Sequence, residues 1–320
     1  STLIARILER NGKKVFLGAN IGTPLIQIAG QADEFDILVL ELSSFQLQSI
    51  KSFRPYIALV LNISPNHLDH HESFEEYVES KMKIYSNQSS DDWFVYNKDD
   101  EIISEYLPKV KSQKVPFSKD SVEDGASFNG TDIKFKEHTY DISSTKLLGI
   151  HNIENMMAAI IGTSILGCDP QLIQEEINNF EPLEHRNEYI GNLSGAKVYN
   201  DSKSTSPAAT VRALESIPQP IILIAGGKDK GVSFEPLKQL VNEKVRLMVL
   251  IGEAKLRMKE ELGKSVQSEL AGSLKEALDI TFQNITAQDS VLFSPACSSF
   301  DMFKSYEDRG AKFKEIVKEL

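Results

Sequence analysis

Apolar positions along this chain follow two alternating rhythms. Short runs rich in β-branched and aromatic residues appear at Val15-Phe16-Leu17, Ile37 to Leu40, Ile57 to Leu61 and Phe94-Val95-Tyr96. Between them apolar residues recur at the spacing of a helix face. Strands alternating with amphipathic helices predict βαβ units around a parallel sheet. The chain opens on the tail of a helix: Leu3, Ile4, Ile7 and Leu8 share a face, and Gly12 is placed to cap it. Residues 109–148 have another texture, polar with short alternating runs and a turn signal at Asn129-Gly130, which predicts an antiparallel excursion. A long helix is expected from about His151 through Leu166, and Phe180-Glu181-Pro182 ends the next helical stretch. The pattern then resets. Strands are expected at Lys197 to Tyr199, Ile221 to Ala225, Leu247 to Ile251 and Val291 to Phe293. This second α/β series places a domain boundary near residue 183, giving domains 1–182 and 183–320.

The 320 residues are enough for two domains with buried cores. A formal net charge of -11 argues against a nucleic-acid surface, which needs clustered Lys and Arg. No apolar run reaches membrane-spanning length, and no signal peptide is evident. Cys168 and Cys297 lie far apart in unrelated contexts, which argues against a disulfide framework and fits a reducing cytoplasm.

Several predicted strands end in chemistry. The run Ile37 to Leu40 is followed at once by Glu41. A carboxylate there either binds a metal or a partner, or caps a helix and bonds to nearby amides. After the next strand, Asn66, His67, Asp69, His70 and His71 cluster, but no Cys or helical His pair accompanies them, so a zinc site and a solvated loop both stay open. Ser73 and Glu76 form a capping-box pattern that starts a helix, and Phe74, Tyr77, Val78, Met82, Ile84 and Tyr85 define its apolar stripe. Lys81 falls on that stripe, where a lysine must snorkel, pair or lose its charge. In the second series, one strand ends in Asn200-Asp201-Ser202-Lys203-Ser204-Thr205 and another in Gly226-Gly227-Lys228-Asp229-Lys230. Glycines there allow a close backbone approach to a ligand, and Lys230 supplies a cation. The strand at Val291 to Phe293 runs into Ser294-Pro-Ala-Cys-Ser-Ser-Phe. Phe300, Phe303 and Tyr306 then recur at helical spacing, so Ser298 and Ser299 are expected at a helix start that can hold an anion. Gly263-Lys264-Ser265 is no phosphate-binding loop, because Met258 stands where that motif needs glycine and the context is helical.

Taken in order, these segments resemble the Mur ligase family. The matching pieces are Gly18 to Pro24, Leu40 to Leu47, Asn62 to Asp69, Lys81 to Tyr85, Gly149 to Asn155, His185 to Glu188, Asn200 to Thr205 and Ser294 to Gly310. Glu41 to Leu47 and Ser294 to Cys297 favour the branch that adds D-glutamate. Two positions depart from the common pattern, His70 in place of Arg and Ser206 in place of Asn.

The resemblance implies an α/β chain with a P-loop-type central ATPase domain, truncated at its start, followed by a Rossmann-like carboxy-terminal domain. It implies an ATP-dependent ligase joining D-glutamate to UDP-N-acetylmuramoyl-L-alanine through an acyl phosphate in peptidoglycan precursor synthesis. The cofactors it implies are ATP, Mg²⁺ and CO₂ as a lysine carbamate. By the same resemblance Glu41 and His67 are Mg²⁺ ligands, and Lys81 is the carbamylated lysine of the metal region. Asn20, Ser43 and Gln46 are contacts to the muramoyl-alanine substrate. Asn152, Asn155, Arg186, Asp201 and Lys203 are nucleotide contacts. Thr205, Lys230, Ser299, Phe300 and Tyr306 form the D-glutamate pocket. A cytoplasmic monomer is expected, with neither nucleic acid nor membrane as partner. The family's amino-terminal uridine-binding domain and P-loop are expected to be missing, leaving the chain inactive alone. Competing expectations are another Mur-type or folylpolyglutamate-type amino-acid ligase, or a descendant that binds ligand without turnover.

Overall fold

Apolar stripes and β-branched runs become the elements their spacing calls for. The structure is a computed structural model describing residues 1–64, 71–147, 149–263 and 266–320. Two compact units result, Ser1–Phe180 and Glu181–Leu320.

In the first unit, α1 (Thr2–Arg10) buries Leu3, Ala5, Ile7 and Leu8. Gly12 beyond its end has a φ of 77°, a left-handed geometry that glycine adopts without strain. β1 (Val15–Ala19) and β2 (Ile37–Glu41) pair in parallel as a separate two-stranded sheet. α2 (Ser44–Gln48) follows β2. The larger sheet has the order β3 (Ile57–Val60), β4 (Trp93–Asn97), β5 (Gln113–Ser118), β6 (Ala126–Phe128), β7 (Asp132–Phe135) and β8 (His138–Asp141). α3 (Phe74–Met82) and α4 (Glu101–Tyr106) lie in the crossovers on either side of β4 in sequence. The strands from β3 to β6 run parallel, and β6 to β8 form an antiparallel meander. The antiparallel part is therefore shorter than the texture of residues 109–148 predicts. β5 lies in that stretch, yet it returns through α4 and extends the parallel sheet. α5 (Ile150–Ile165) and α6 (Pro170–Asn179) complete the unit. Met156, Met157, Ile160 and Ile161 of α5 have no exposed surface and anchor its core.

The second unit contains β9 (Glu188–Leu193), β10 (Ala196–Asn200), α7 (Pro207–Ser216), β11 (Ile221–Gly226) and α8 (Lys238–Lys244). It continues with β12 (Val245–Ile251), α9 (Lys255–Leu262), β13 (Gln267–Leu270), α10 (Leu274–Asn284), β14 (Ser290–Phe293) and α11 (Tyr306–Glu319). Its sheet has the order β13-β12-β11-β14-β10-β9. The first five strands are parallel, and β9 is antiparallel to β10. Two elements escape the sequence pattern. β13 has three polar residues in four, and β9 is interrupted by Gly191 before turning at Ser194 and Gly195, both at positive φ. β11 is buried at every position because both faces are covered, one by each of two apolar clusters. The chain leaves β11 toward β12 but returns on its other side as β14, so β11 and β14 flank a topological switch point, where open α/β sheets place ligands.

One predicted element is displaced. α11 begins at Tyr306, not in the Ser298-Ser299 run. Ser298 instead makes an antiparallel bridge with Lys228, and residues 299–305 are turns. The helix starts only where Ser305 accepts a hydrogen bond from the Asp308 N–H at 3.2 Å.

Candidate functional site

Beyond the carboxyl ends of β10 and β14 the chain buries a network of polar groups. β10 delivers Asn200 and Asp201, both buried, and β14 delivers Ser294. Ser294 Oγ donates to Asp201 Oδ2 at 2.7 Å and lies 2.9 Å from Thr210 Oγ1. The Asn187 N–H donates to Asp201 Oδ1 at 3.2 Å. Burial pushes the Asp201 carboxyl up to about 6, against hydrogen bonds from Ser204, Ser294 and Asn187 and the nearby Arg186 charge. The Asn200 amide nitrogen lies 2.9 Å from His185 Nδ1 and donates to the Gly310 carbonyl at 3.2 Å. Burial lowers the His185 pKa and keeps the imidazole neutral at neutral pH. α11 can approach this ring because residue 310 is glycine, since a Cβ there would collide with the His185 imidazole. Lys203 holds its ammonium 5.6 Å from the centre of the Tyr306 ring, a cation–π contact. Arg186 is exposed beside the network.

Next to the network is a cleft of about 320 Å³ lined by Thr205, Lys230, Ser298, Ser299, Phe300, Ser305, Tyr306 and Glu307. All five residues expected to form an amino-acid pocket meet there. The hydroxyls of Ser298 and Ser299 are buried without a hydrogen-bond partner, which is rare for buried polar atoms. Lys230 is exposed and has no carboxylate within ion-pair distance among the described residues. Burial pushes the Tyr306 phenol up to about 12, and the Glu307 carboxylate beside it adds to the rise. Phe300 is 73% exposed, so the turn at 299–305 presents an apolar ring to solvent. The paired glycines are also needed by the fold itself. Side chains at 226 and 227 would collide with the Ile251 and Ser298 carbonyls, so glycine is required there for the close approach of the protein's own backbone.

In the first unit, Asn20 and Glu41 lie at the carboxyl ends of neighbouring strands, and the Asn20 N–H donates to the Glu41 carbonyl at 2.8 Å. The Glu41 carboxylate is half-buried and accepts from Ser1 Oγ at 3.0 Å. Ser43 and Gln46 form a reciprocal capping box. The Ser43 N–H donates to Gln46 Oε1 at 2.9 Å, and the Gln46 N–H donates to Ser43 Oγ at 3.4 Å. The box expected at Ser73 and Glu76 is only half formed, because the Glu76 carboxylate accepts from the Glu72 N–H at 2.7 Å. Lys81 is half-buried, and its ammonium donates to Tyr77 Oη at 3.3 Å. Asn152 and Asn155 share the first turns of α5, where the Asn155 amide donates to Asn152 Oδ1 at 3.4 Å.

Among the described residues no three His, Cys, Asp or Glu side chains converge as a metal site. His67, with Asn66, Asp69 and His70, lies outside the described residues. Glu41 therefore offers one carboxylate, which suits Mg²⁺ because that ion keeps most of its waters. The Lys81 ammonium cannot ligate a cation as it stands.

Two groups take roles that the sequence pattern does not give them, and one, His71, is a correction, since it is neither in a solvated loop nor part of a metal cluster of described residues. His71 is buried, with Nε2 2.9 Å from Ser44 Oγ and its ring 5.5 Å from that of Tyr77, so it joins α2 to the Lys81 side of α3. Arg309 is completely buried in the second unit. It lies on the buried stripe of α11 between Tyr306 and Phe313, the signal that singles out Lys81 on α3.

Comparison with known proteins agrees with this architecture. The Mur ligase middle domain matches residues 1–162, and the Mur ligase, glutamate ligase domain matches residues 185–297. UDP-N-acetylmuramoylalanine–D-glutamate ligase of Citrifermentans bemidjiense is 44% identical over 99% of this chain and 72% of its own length. The enzyme of the same name from a Thermoanaerobacter species is 38% identical over 100% of this chain and 73% of its own. Among solved structures, MurF ligase from Thermotoga maritima in complex with ADP aligns at a TM-score of 0.74. It is 18% identical and covers 99% of this chain and 78% of its own, which is a likeness of fold.

Asp201 generates a pH-dependent prediction. Its folded pKa of about 6 exceeds the ordinary 3.8, so its contribution to stability is fully present below 3.8 and lost as pH rises through about 6. Asp201→Asn removes the buried charge. The amide can still accept from the Asn187 N–H and donate to Ser294 Oγ, which then turns to Thr210. We expect this variant to be more stable than wild type by about 1–3 kcal/mol at pH 8 and equal to it at pH 4. Thermal melts across that range check this, and a variant less stable at pH 8 would contradict it.

Proposed function

The chain belongs to the Mur ligase family, and from that premise we propose that it forms the catalytic and amino-acid-binding part of a D-glutamate-adding ligase. In this reading residues 1–182 are the ATP-binding central domain and residues 183–320 the amino-acid-binding domain. The reaction transfers the γ-phosphoryl group of ATP to the terminal carboxylate of UDP-N-acetylmuramoyl-L-alanine. The D-glutamate amine then attacks the acyl carbon, an amide bond forms, and phosphate leaves with the C–O bond. The nitrogen gives up its proton to solvent. The product belongs to peptidoglycan precursor synthesis.

The cleft of the second unit carries the proposal. An ammonium with no counter-ion among the described residues and two buried hydroxyls without partners suit a carboxylate, and the D-glutamate side chain supplies one. Lys230 provides the charge, Thr205, Ser299 and Tyr306 provide hydroxyls, and Phe300 covers the apolar stem. In the same unit Arg186, Asp201 and Lys203 are the proposed nucleotide contacts. An ionised Asp201 accepts hydrogen bonds from a ligand hydroxyl, and keeping that charge buried accounts for its cost to stability.

In the first unit Asn152 and Asn155 are further proposed nucleotide contacts. Asn20, Ser43 and Gln46 are assigned to the muramoyl-alanine substrate. Ser43 and Gln46 spend part of their hydrogen bonding on the α2 cap, so they serve as fixed rather than mobile contacts. Mur ligases use ATP and Mg²⁺, and the metal neutralises phosphate charge when bound. Glu41 and His67 are the proposed ligands here. Lys81 is the proposed site of carbamylation, in which its neutral amine adds to CO₂ and releases a proton. The half-buried position of Lys81 supports this: among the described residues no carboxylate lies within ion-pair distance of its ammonium, which meets only the Tyr77 hydroxyl and ring. No helix of the described residues is long and apolar enough to cross a membrane, and a cytoplasmic monomer completes the proposal.

Because the chain spans 72% of the relative from Citrifermentans bemidjiense, the test uses the full-length gene product. Phosphate release should require ATP, Mg²⁺, UDP-N-acetylmuramoyl-L-alanine and D-glutamate together. Equal rates with meso-diaminopimelate or a folate substrate would overturn the assignment, and binding without turnover would identify a non-catalytic descendant. Lys230→Ala should raise the KM for D-glutamate by about tenfold or more while the KM for ATP holds. Lys81→Ala should lower kcat by about a hundredfold, with partial recovery on adding acetate or propionate. Full activity in that variant would leave Lys81 as an ordinary half-buried lysine bonded to Tyr77.

A further inference from the structure

The Arg309 side chain has no exposed surface, and the reaction as described gives it nothing to do. Its guanidinium donates to neutral oxygens: Nε to Ser202 Oγ at 3.0 Å, Nη2 to the Ser202 carbonyl at 2.7 Å and Nη1 to the Cys297 carbonyl at 3.0 Å. Ser202 Oγ in turn donates to the Tyr306 carbonyl at 2.8 Å, so that hydroxyl is held from both sides. Gly227 completes the enclosure, because a Cβ there would press on Nη1 and on the Ser298 carbonyl. One side chain from α11 thus joins the segments that follow β10 and β14.

Arg309 is an expensive way to pin a helix. Burial lowers its pKa to about 10, so it stays charged at neutral pH. Among the described residues no carboxylate lies within ion-pair distance, and Asp201 and Asp301 act on it only through space. An apolar side chain would seat the helix without the desolvation cost of a cation. What an apolar residue cannot do, and the point charge of a lysine does poorly, is hold two backbone segments at fixed spacing with a planar fork. The segments held are telling. Asp201 and Lys203 flank Ser202, while Ser298 and Ser299 follow Cys297 directly.

We propose that Arg309 is a positioning residue that fixes the Asp201–Lys203 turn against the Ser298-Ser299 wall of the cleft, aligning nucleotide contacts and amino-acid contacts within this unit. The inference rests on the functional reading above for what those contacts bind. The brace itself stands on the hydrogen bonds alone.

The test compares full-length wild type with Arg309→Lys and Ser202→Ala, using ATP and D-glutamate as the probes. Arg309→Lys keeps the charge but loses the fork, and should raise KM for both ligands by about tenfold. Ser202→Ala removes one acceptor, and should raise both by about threefold. It carries the test if the lysine variant does not fold. Hydrogen exchange should quicken at residues 201–203 and 297–299 in either variant, while β12 keeps wild-type protection. Variants that lose activity only in proportion to folded protein, with both KM values and local exchange unchanged, would overturn the proposal. So would a change in only one of the two KM values. If wild type shows no turnover dependent on D-glutamate, the functional reading fails, and exchange alone decides the brace.

Discussion

Arg309 and Asp201 carry opposite charges into the interior beyond the carboxyl ends of β10 and β14, and neither is paired with the other. Each survives burial because surrounding oxygens, hydroxyls and amides supply hydrogen bonds. That requirement dictates the neighbourhood. Ser202 and Cys297 must present carbonyls to the guanidinium, and Ser294 and Asn187 must present donors to the carboxylate. Glycine must stand at 227 and 310 so that backbone and helix can come close enough. The start of α11 is set by the same geometry, since Tyr306 offers its carbonyl to Ser202.

Against this network, in which Asn187 Oδ1 is the buried side-chain atom left without a partner, the adjoining cleft stands out. Ser298 and Ser299 hold buried hydroxyls that the protein leaves unmatched, and among the described residues no carboxylate lies within ion-pair distance of Lys230. Buried hydroxyls without partners are rare, and a ligand in the cleft would complete their bonding. The half-exposed Tyr306 links the two regions, with its carbonyl in the network and its ring facing the cleft. In the first unit the arrangement is looser. The capping box of Ser43 and Gln46 orients α2, His71 connects α2 to α3, and Lys81 reaches Tyr77 at the end of that relay.

Local reading of the sequence succeeded where one residue's neighbours along the chain decide its state. The runs at Ile221 to Ala225 and Leu247 to Ile251 are strands because uninterrupted apolar β-formers have one stable use in a covered parallel sheet. It faltered where the deciding partner is remote. The local pattern places Ser298 at a helix start, but the backbone of Lys228 claims it as a bridge. Glu76 was expected to close its own cap, but it serves the N–H of Glu72 and the side chain of Gln48 instead. Gly226 and Gly227 are needed because a Cβ at either would meet the Ile251 or Ser298 carbonyl, contacts that no local pattern announces.

Order and spacing along the chain therefore determined the α/β class, most of the strands and the family to which the chain belongs. Those properties follow from periodicity and from motifs that each lie within a few residues. The family resemblance already groups Thr205, Lys230, Ser299, Phe300 and Tyr306, and tertiary structure alone decided that Asp201 is buried enough to hold its proton up to about 6 and that Arg309 lies at the junction of two strand ends. Burial and hydrogen-bond partnership depend on groups a hundred residues apart in sequence, as Ser202 and Arg309 are at a separation of 107, and no local pattern encodes where such groups meet.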